Sequence, residues 1–281
     1  MKIGIVGLGL IGGSLAKTIQ SHTDATVVGY DIYPTTLNKA KMLGAVDEVM
    51  DEQNLKECDM VIIALYPQDT VDFVKKNASN FKPDAIIMDC CGVKQAVCDP
   101  LHDFCYNKKI WFIGAHPMAG REYSGFDYAK TDLFANASMI LTPYSYIPIQ
   151  QVEKVKKFAL QIGFGQVVIT TPAEHDQMIA YTSQLAHVVS NAYVKSPGAL
   201  HHHGFSAGSY LDLTRVARLN ENMWTELFLD NAEKLCVELD SLIGHLGEYR
   251  EAIANKDAET LKQLLREGRE LKEATDPAAD I

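Results

Sequence analysis

Lys2-Ile3-Gly4-Ile5-Val6-Gly7-Leu8-Gly9-Leu10-Ile11-Gly12-Gly13-Ser14 follows Met1, and its reading decides the fold. Residues 2–6 form a short apolar run rich in β-branched side chains, the pattern of a buried strand. Gly7, Gly9 and Gly12 then form GxGxxG, and a helical pattern runs over 13–21. GxGxxG alone is a weak signal. Between a strand and a helix, at the start of a βαβ unit, it is a dinucleotide fingerprint. Gly7 permits the tight turn, Gly9 lets backbone approach a pyrophosphate, and Gly12 allows helix and sheet to pack closely. The helix start, with Leu10 and Ile11, offers N–H groups and a positive dipole end to the phosphates.

A second strand at 26–30 ends in Asp31. A carboxylate there accepts hydrogen bonds from both ribose hydroxyls and repels a 2′-phosphate, so NAD is expected over NADP. Ile32-Tyr33-Pro34 offers no Arg to receive such a phosphate. Tyr66 and Pro67 follow the strand at 60–65, at the carboxyl edge of the sheet where a nicotinamide is expected. An ordinary loop is the alternative for that pair.

Further strands at 85–88 and 111–114, with helices at 34–43 and 70–77, continue the alternation. That order argues for a parallel, doubly wound sheet. Runs at 138–141 and 166–169, joined by a helix at 150–163, extend it. From about residue 171 helical periodicity takes over. Thr171-Pro172-Ala173-Glu174 supplies an N-cap, a first-turn proline and a capping-box glutamate. A long helix to about residue 195 should end at Ser196-Pro197-Gly198, followed by helices over 211–216, 222–243 and 246–269. The expectation is an α/β chain of two domains. Residues 1–170 form an NAD-binding Rossmann domain with a doubly wound, mainly parallel sheet. Residues 171–281 form an all-helical substrate and dimerisation domain.

The 281 residues carry a net charge of −10, with 47% hydrophobic and 22% charged residues. That balance suits a globular chain and argues against a nucleic-acid or anionic-membrane partner, either of which needs a basic face. An anionic small substrate would need its own local cation. No run is long enough to span a bilayer, and glycines interrupt the apolar N-terminus, so a cytoplasmic protein is expected. The six cysteines include no CxxC pair, so neither a disulfide framework nor a metal site is expected.

His116-Pro117-Met118-Ala119-Gly120-Arg121-Glu122 follows the strand at 111–114. A lone His after a strand is more often structural than catalytic. A loop aimed at the nicotinamide shifts that balance, because a neutral imidazole can accept a hydroxyl proton as hydride leaves the same carbon. The glycine stretch and this run resemble the prephenate/arogenate dehydrogenase (TyrA) family. So do Asp89-Cys90-Cys91-Gly92-Val93-Lys94, Ser124-Gly125, Leu133-Phe134, Leu141-Thr142-Pro143 and His175-Asp176. Ser183-Gln184-Leu185-Ala186-His187, Asp212-Leu213-Thr214-Arg215-Val216-Ala217, and Met223-Trp224 with Asn231 complete the series, in order along the chain.

The resemblance implies NAD-dependent oxidative decarboxylation of prephenate to 4-hydroxyphenylpyruvate in tyrosine biosynthesis. Arogenate is the close alternative, with tyrosine as product. It implies that His116 accepts the 4-hydroxyl proton and that Arg215 binds a substrate carboxylate. Glu122 and Asp212 would be the acidic partners of Arg215, and Asp212 lies three residues before it, on one helix face. His187 would face substrate. Two positions depart from the family. Gly92 stands where many members have Ser, and Ser124 is a candidate replacement. Gln184 stands where some have His, and its amide still offers a donor and an acceptor to substrate.

Other features have plainer readings. His201-His202-His203 suits a solvated loop. Cys90 and Cys91 suit small packing residues. Lys94 reads as structural, though it lies near the cofactor edge. Trp224, Leu227, Phe228 and Leu235 suit helix packing or a dimer stripe, and a homodimer is expected. A β-hydroxyacid dehydrogenase would need a catalytic Lys on the first helix of the second domain, and 175–189 contains none. A silent NAD-binding module finds support only in Gly92.

Overall fold

Strand β1 (Lys2–Val6) lies inside an eight-stranded sheet in the computed structural model, which describes residues 1–120 and 123–275. The other strands are β2 (Thr26–Tyr30), β3 (Glu48–Val49), β4 (Met60–Ile63), β5 (Ile86–Asp89), β6 (Trp111–Pro117), β7 (Ser138–Thr142) and β8 (Gln166–Ile169). Their order is β3-β2-β1-β4-β5-β6-β7-β8. Every neighbouring pair is parallel except β6–β7. The order reverses between β1 and β4, which is the crevice where open α/β sheets bind ligands.

Side chains alternate across the sheet, and both faces are covered. Ile3, Ile5, Met60, Ile62 and Met88 enter one apolar cluster, while Val6, Val61, Ile63 and Ile87 enter the other. Each such burial contributes about 1.5–3 kcal/mol. The covering helices are α1 (Leu10–His22), α2 (Pro34–Met42), α3 (Glu52–Leu55), α4 (Pro67–Asn77), α5 (Gln95–Lys108) and α6 (Ile149–Gln161).

The structure corrects several expectations. β6 continues through Pro117, because β7 pairs with it antiparallel and sets His116 opposite Ile140. His116 therefore sits in a strand and not in a loop. α5 escaped the sequence reading because Pro100 sits inside it, ordinarily a breaker. Its buried Val97, Cys98, Leu101 and Cys105 nevertheless keep helical spacing. β3, two residues long, is too short to announce itself.

Compact units span Met1–Ala232 and Glu233–Ile281. The first also holds α7 (Pro172–Ile179), a π-helical turn (Ala180–Leu185), α8 (Ala186–Tyr193), α9 (Gly208–Thr214) and α10 (Glu221–Asp230). Thr171 and Glu174 form the expected capping box at the start of α7. The helix expected over 222–243 breaks at Asn231, which leaves helical geometry at φ −121° and ψ 25°.

The second unit consists of the body of α11 (Ala232–Ala254) and α12 (Ala258–Thr275). Its turn falls at Asn255–Asp257, later than the expected break near 244–245. Lys256 adopts φ 53° there, and Asp257 Oδ1 accepts the Thr260 N–H at 3.1 Å. Tyr249 Oη donates to the Leu264 carbonyl at 3.2 Å and ties the two helices.

Candidate active site

The glycine turn is built by close backbone contact. Gly7 has φ +84°, and a Cβ there would stand 2.5 Å from the Ala64 carbonyl oxygen. A Cβ on Gly12 would stand 1.9 Å from the Gly7 oxygen. Neither position admits a side chain, so β1, α1 and the end of β4 interlock. A Cβ on Gly9 would meet nothing within 4 Å, and no side chain caps the start of α1 at Leu10 and Ile11. Asp31 closes this edge. Its Oδ2 accepts the Leu8 N–H at 2.8 Å and its Oδ1 accepts the Tyr33 N–H at 2.9 Å. Tyr66 is exposed at the N-cap of α4, with Pro67 at the first turn. An open face at Gly9, uncapped N–H groups and a fixed carboxylate fit a dinucleotide.

A buried polar network occupies the ends of β5 and β6. Asp89 and Lys94 are both fully buried and form an ion pair. Lys94 Nζ also donates to the Ala115 carbonyl at 2.8 Å. Asp89 accepts the N–H groups of Ala115 at 3.0 Å and Cys91 at 2.9 Å. The loop after β5 is thereby bound to the strand that carries His116.

From α7, Asp176 accepts the Lys94 N–H at 2.7 Å and the Gln95 N–H at 2.8 Å, capping the start of α5. Its Oδ1 also meets His175 Nδ1 at 2.7 Å, and His175 Nε2 meets His116 Nδ1 at 2.9 Å. Asn231 Nδ2 donates to the Asp176 carbonyl and to Gln184 Oε1, both at 2.8 Å.

Electrostatics follow from this burial. Desolvation pushes His116 well below the ordinary histidine range, aided by the positive charge of Lys94 and by repulsion from His175 where that ring is also protonated. Burial also lowers His175, against a hydrogen bond to Asp176 that raises it. Both rings are therefore neutral at pH 7. Burial would depress the Lys94 ammonium, but the adjacent Asp89 charge outweighs it and holds the group raised. Burial and Asp89 push the Cys90 and Cys91 thiols up, which keeps them protonated.

The other expected site residues lie elsewhere on the first unit. Arg215 begins a 3-10 turn after α9 and lines an open cleft of about 610 Å³ with Tyr123, Tyr210, Thr214 and Arg218. Tyr123 comes from the segment that follows β6. Asp212 is exposed on α9, three residues before Arg215. Glu122 lies outside the described residues. Ser124 is exposed. His187 on α8 donates from Nδ1 to the Ser183 carbonyl at 2.8 Å, and its ring lies against Trp224 at 3.9 Å between centroids.

Gln184 is 2% exposed. Its amide donates to the Leu227 carbonyl and accepts from Asn231, which places it in packing between helices rather than in a cleft. Sequence reasoning gave no role to His175, Asp176, Asn231 or Arg218. The signal that could have found three of them was the place of His175-Asp176 and Asn231 among the runs that carry the family resemblance.

The family descriptions that match are "Prephenate dehydrogenase, nucleotide-binding domain" over residues 15–170 and "Prephenate dehydrogenase, dimerization domain" over 171–267. The chain is 32% identical to the prephenate dehydrogenase of Bacillus subtilis, over 96% of this chain and 74% of that one. Among solved structures it is similar to Synechocystis arogenate dehydrogenase, with TM-score 0.82, 29% identity and coverage of 98% and 100%. It is also similar to prephenate dehydrogenase from A. aeolicus in complex with hydroxyphenyl propionate and NAD+. There the TM-score is 0.84 at 27% identity, with 98% of each chain covered.

Proposed function

This chain belongs to the prephenate dehydrogenase family, and on that premise we propose that it converts prephenate to 4-hydroxyphenylpyruvate with NAD, in tyrosine biosynthesis. One observation carries the proposal. β1, β4, β5 and β6 are parallel, so the glycine cradle and a neutral, half-buried imidazole lie at one carboxyl edge. NAD+, when bound, supplies the hydride acceptor.

Gly7, Gly9, Leu10, Ile11 and Gly12 hold its phosphates, Asp31 its ribose, and Tyr66 and Pro67 border its nicotinamide end. His116 accepts the proton of the ring hydroxyl as that carbon loses hydride. Arg215 grips a substrate carboxylate with a planar guanidinium, the local cation that an acidic chain needs. Glu122 and Asp212 orient that Arg, His187 borders the ring, and Ser124 serves in place of the family Ser. The ring carboxylate leaves as CO2 and the ring becomes aromatic, so the protein mainly orients the reacting groups.

Residues 1–170 serve as the cofactor domain and 171–281 as the substrate and dimerisation domain of a homodimer. Val237, Ile243, Leu246, Ile253 and Leu265 are each more than half exposed in the second unit, an apolar load that a partner would cover. Sedimentation as a monomer at working concentration would count against the dimer. The protein acts in the cytoplasm; no helix among the described residues is long and apolar enough to cross a membrane.

The test is NADH formation with prephenate against arogenate, and with NAD+ against NADP+. The expected result is turnover with prephenate and NAD+. A higher kcat/KM for arogenate would support the second reading, which the likeness to the Synechocystis enzyme favours. NAD binding without turnover of either substrate would overturn both and leave a silent module.

A further inference from the structure

We propose that His175 and Asp176 are positioning residues that fix the tautomer of His116, so that its Nε2 is the bare nitrogen. The inference rests on the reading of His116 as the proton acceptor and deepens it. Its ground is a relay of two hydrogen bonds with a single direction, from His116 to His175 and from His175 to Asp176. Both carboxylate oxygens of Asp176 receive backbone N–H groups, from Lys94 and Gln95. Asp176 is thus an acceptor, and the 2.7 Å contact requires the proton on His175 Nδ1. A neutral imidazole with Nδ1 protonated has a lone pair on Nε2. That lone pair faces His116 Nδ1 at 2.9 Å, so His116 carries its proton on Nδ1. Nε2 of His116 is left without a proton and can take one.

Burial makes this arrangement stringent. His175 is 2% exposed and Asp176 1% exposed, so water does not readily offer the His175 ring or the carboxylate an alternative partner. Reversing both rings would bring His175 Nδ1 as a lone pair against a carboxylate oxygen, which costs the hydrogen bond and adds repulsion. Asn231 holds the Asp176 carbonyl, and Asp176 itself caps α5, so the carboxylate is fixed from both α7 and α5. The charged and titratable groups around the pair of rings are Asp89 on β5, Lys94 before α5, and Asp176 on α7. The thiols of Cys91 and Cys98 stay protonated through burial.

The test is long-range 15N–1H NMR on protein labelled with 15N-histidine, with His116 assigned through His116→Asn. In the wild type above neutral pH, His116 and His175 should each show a protonated Nδ1 and a bare Nε2. In His175→Leu the His116 proton should redistribute between its two nitrogens. There kcat should fall about 10²-fold with KM for prephenate nearly unchanged. The acid limb of its kcat profile should move to lower pH, because a protonated His116 loses the lone pair that accepts its Nδ1–H. His175→Gln, whose carbonyl can accept the His116 Nδ1–H, should recover much of the loss.

A wild-type spectrum with the His116 proton on Nε2 would overturn the proposal, and it requires no variant to fold. Wild-type kcat with an unshifted pH profile in His175→Leu would also overturn it. Full turnover in His116→Asn would instead remove the base itself, and with it this inference, an outcome the His175 variants alone do not produce.

Discussion

Two stretches of one sheet edge are built on opposite principles. The glycine turn with Asp31 is made of backbone and a single carboxylate, assembled from residues 7–31. The region of His116 is made of buried charge and polar groups drawn from β5, β6, α5, α7 and the end of α10. The first tolerates change at its open face and fails where backbones touch. The second has little tolerance, because each member satisfies a buried partner.

The sharpest break in this comparison is at His116. His116→Asn should lower kcat about 10²–10⁴-fold while KM for prephenate changes little, measured by steady-state NADH formation. Next is the ion pair beneath it. Lys94→Met leaves Asp89 charged and buried, and should cost about 3–5 kcal/mol in urea unfolding. Gly9→Ala is the contrasting change on the other side of the edge. It should unfold like the wild type yet raise KM for NAD+, because its Cβ would project into open space where phosphate approaches. A large loss of stability in Gly9→Ala would erase the distinction.

Asp31→Ser should reduce the preference for NAD+ over NADP+ by about tenfold, some 1.4 kcal/mol. An unchanged ratio of kcat/KM values would detach Asp31 from the ribose.

Acid distinguishes the two regions more gently. The folded-state pKa values of His116 and His175 are lowered by burial. Below the unfolded histidine value of about 6.5, the unfolded chain binds protons that the folded protein refuses. Stability should thus fall as pH drops below that value and receive no contribution from these rings above it. Urea midpoints at several pH values check the sign. For the same reason kcat should stay level through the ordinary histidine pKa and decline only well below it.

The smallest effect is expected at Gly92→Ser. A Cβ there meets only the Leu227 methyls at 3.6 Å, an ordinary contact. Stability should change by less than about 0.5 kcal/mol, and kcat should not fall. A marked loss would mean that Gly92 is required by packing.

Local pattern was enough for the cofactor edge, since turn, strand end and helix start all fall within one βαβ unit. It also carried the resemblance that singled out His116 and Arg215. Pattern could not show that β6 extends to hold His116, because an antiparallel partner from residues 138–142 makes that extension. It could not find α5 through Pro100, nor show that Gln184 is spent on Leu227 and Asn231.

The amino-acid sequence alone determined that a doubly wound sheet would present glycines and Asp31 to a dinucleotide, because strand and helix periods and backbone sterics act over short range. Only the tertiary structure decided which groups stand around His116. Hydrogen bonds from residues 94, 175, 176 and 231 depend on chain segments far apart in sequence, and the low dielectric that gives those bonds their force exists only once the segments are packed.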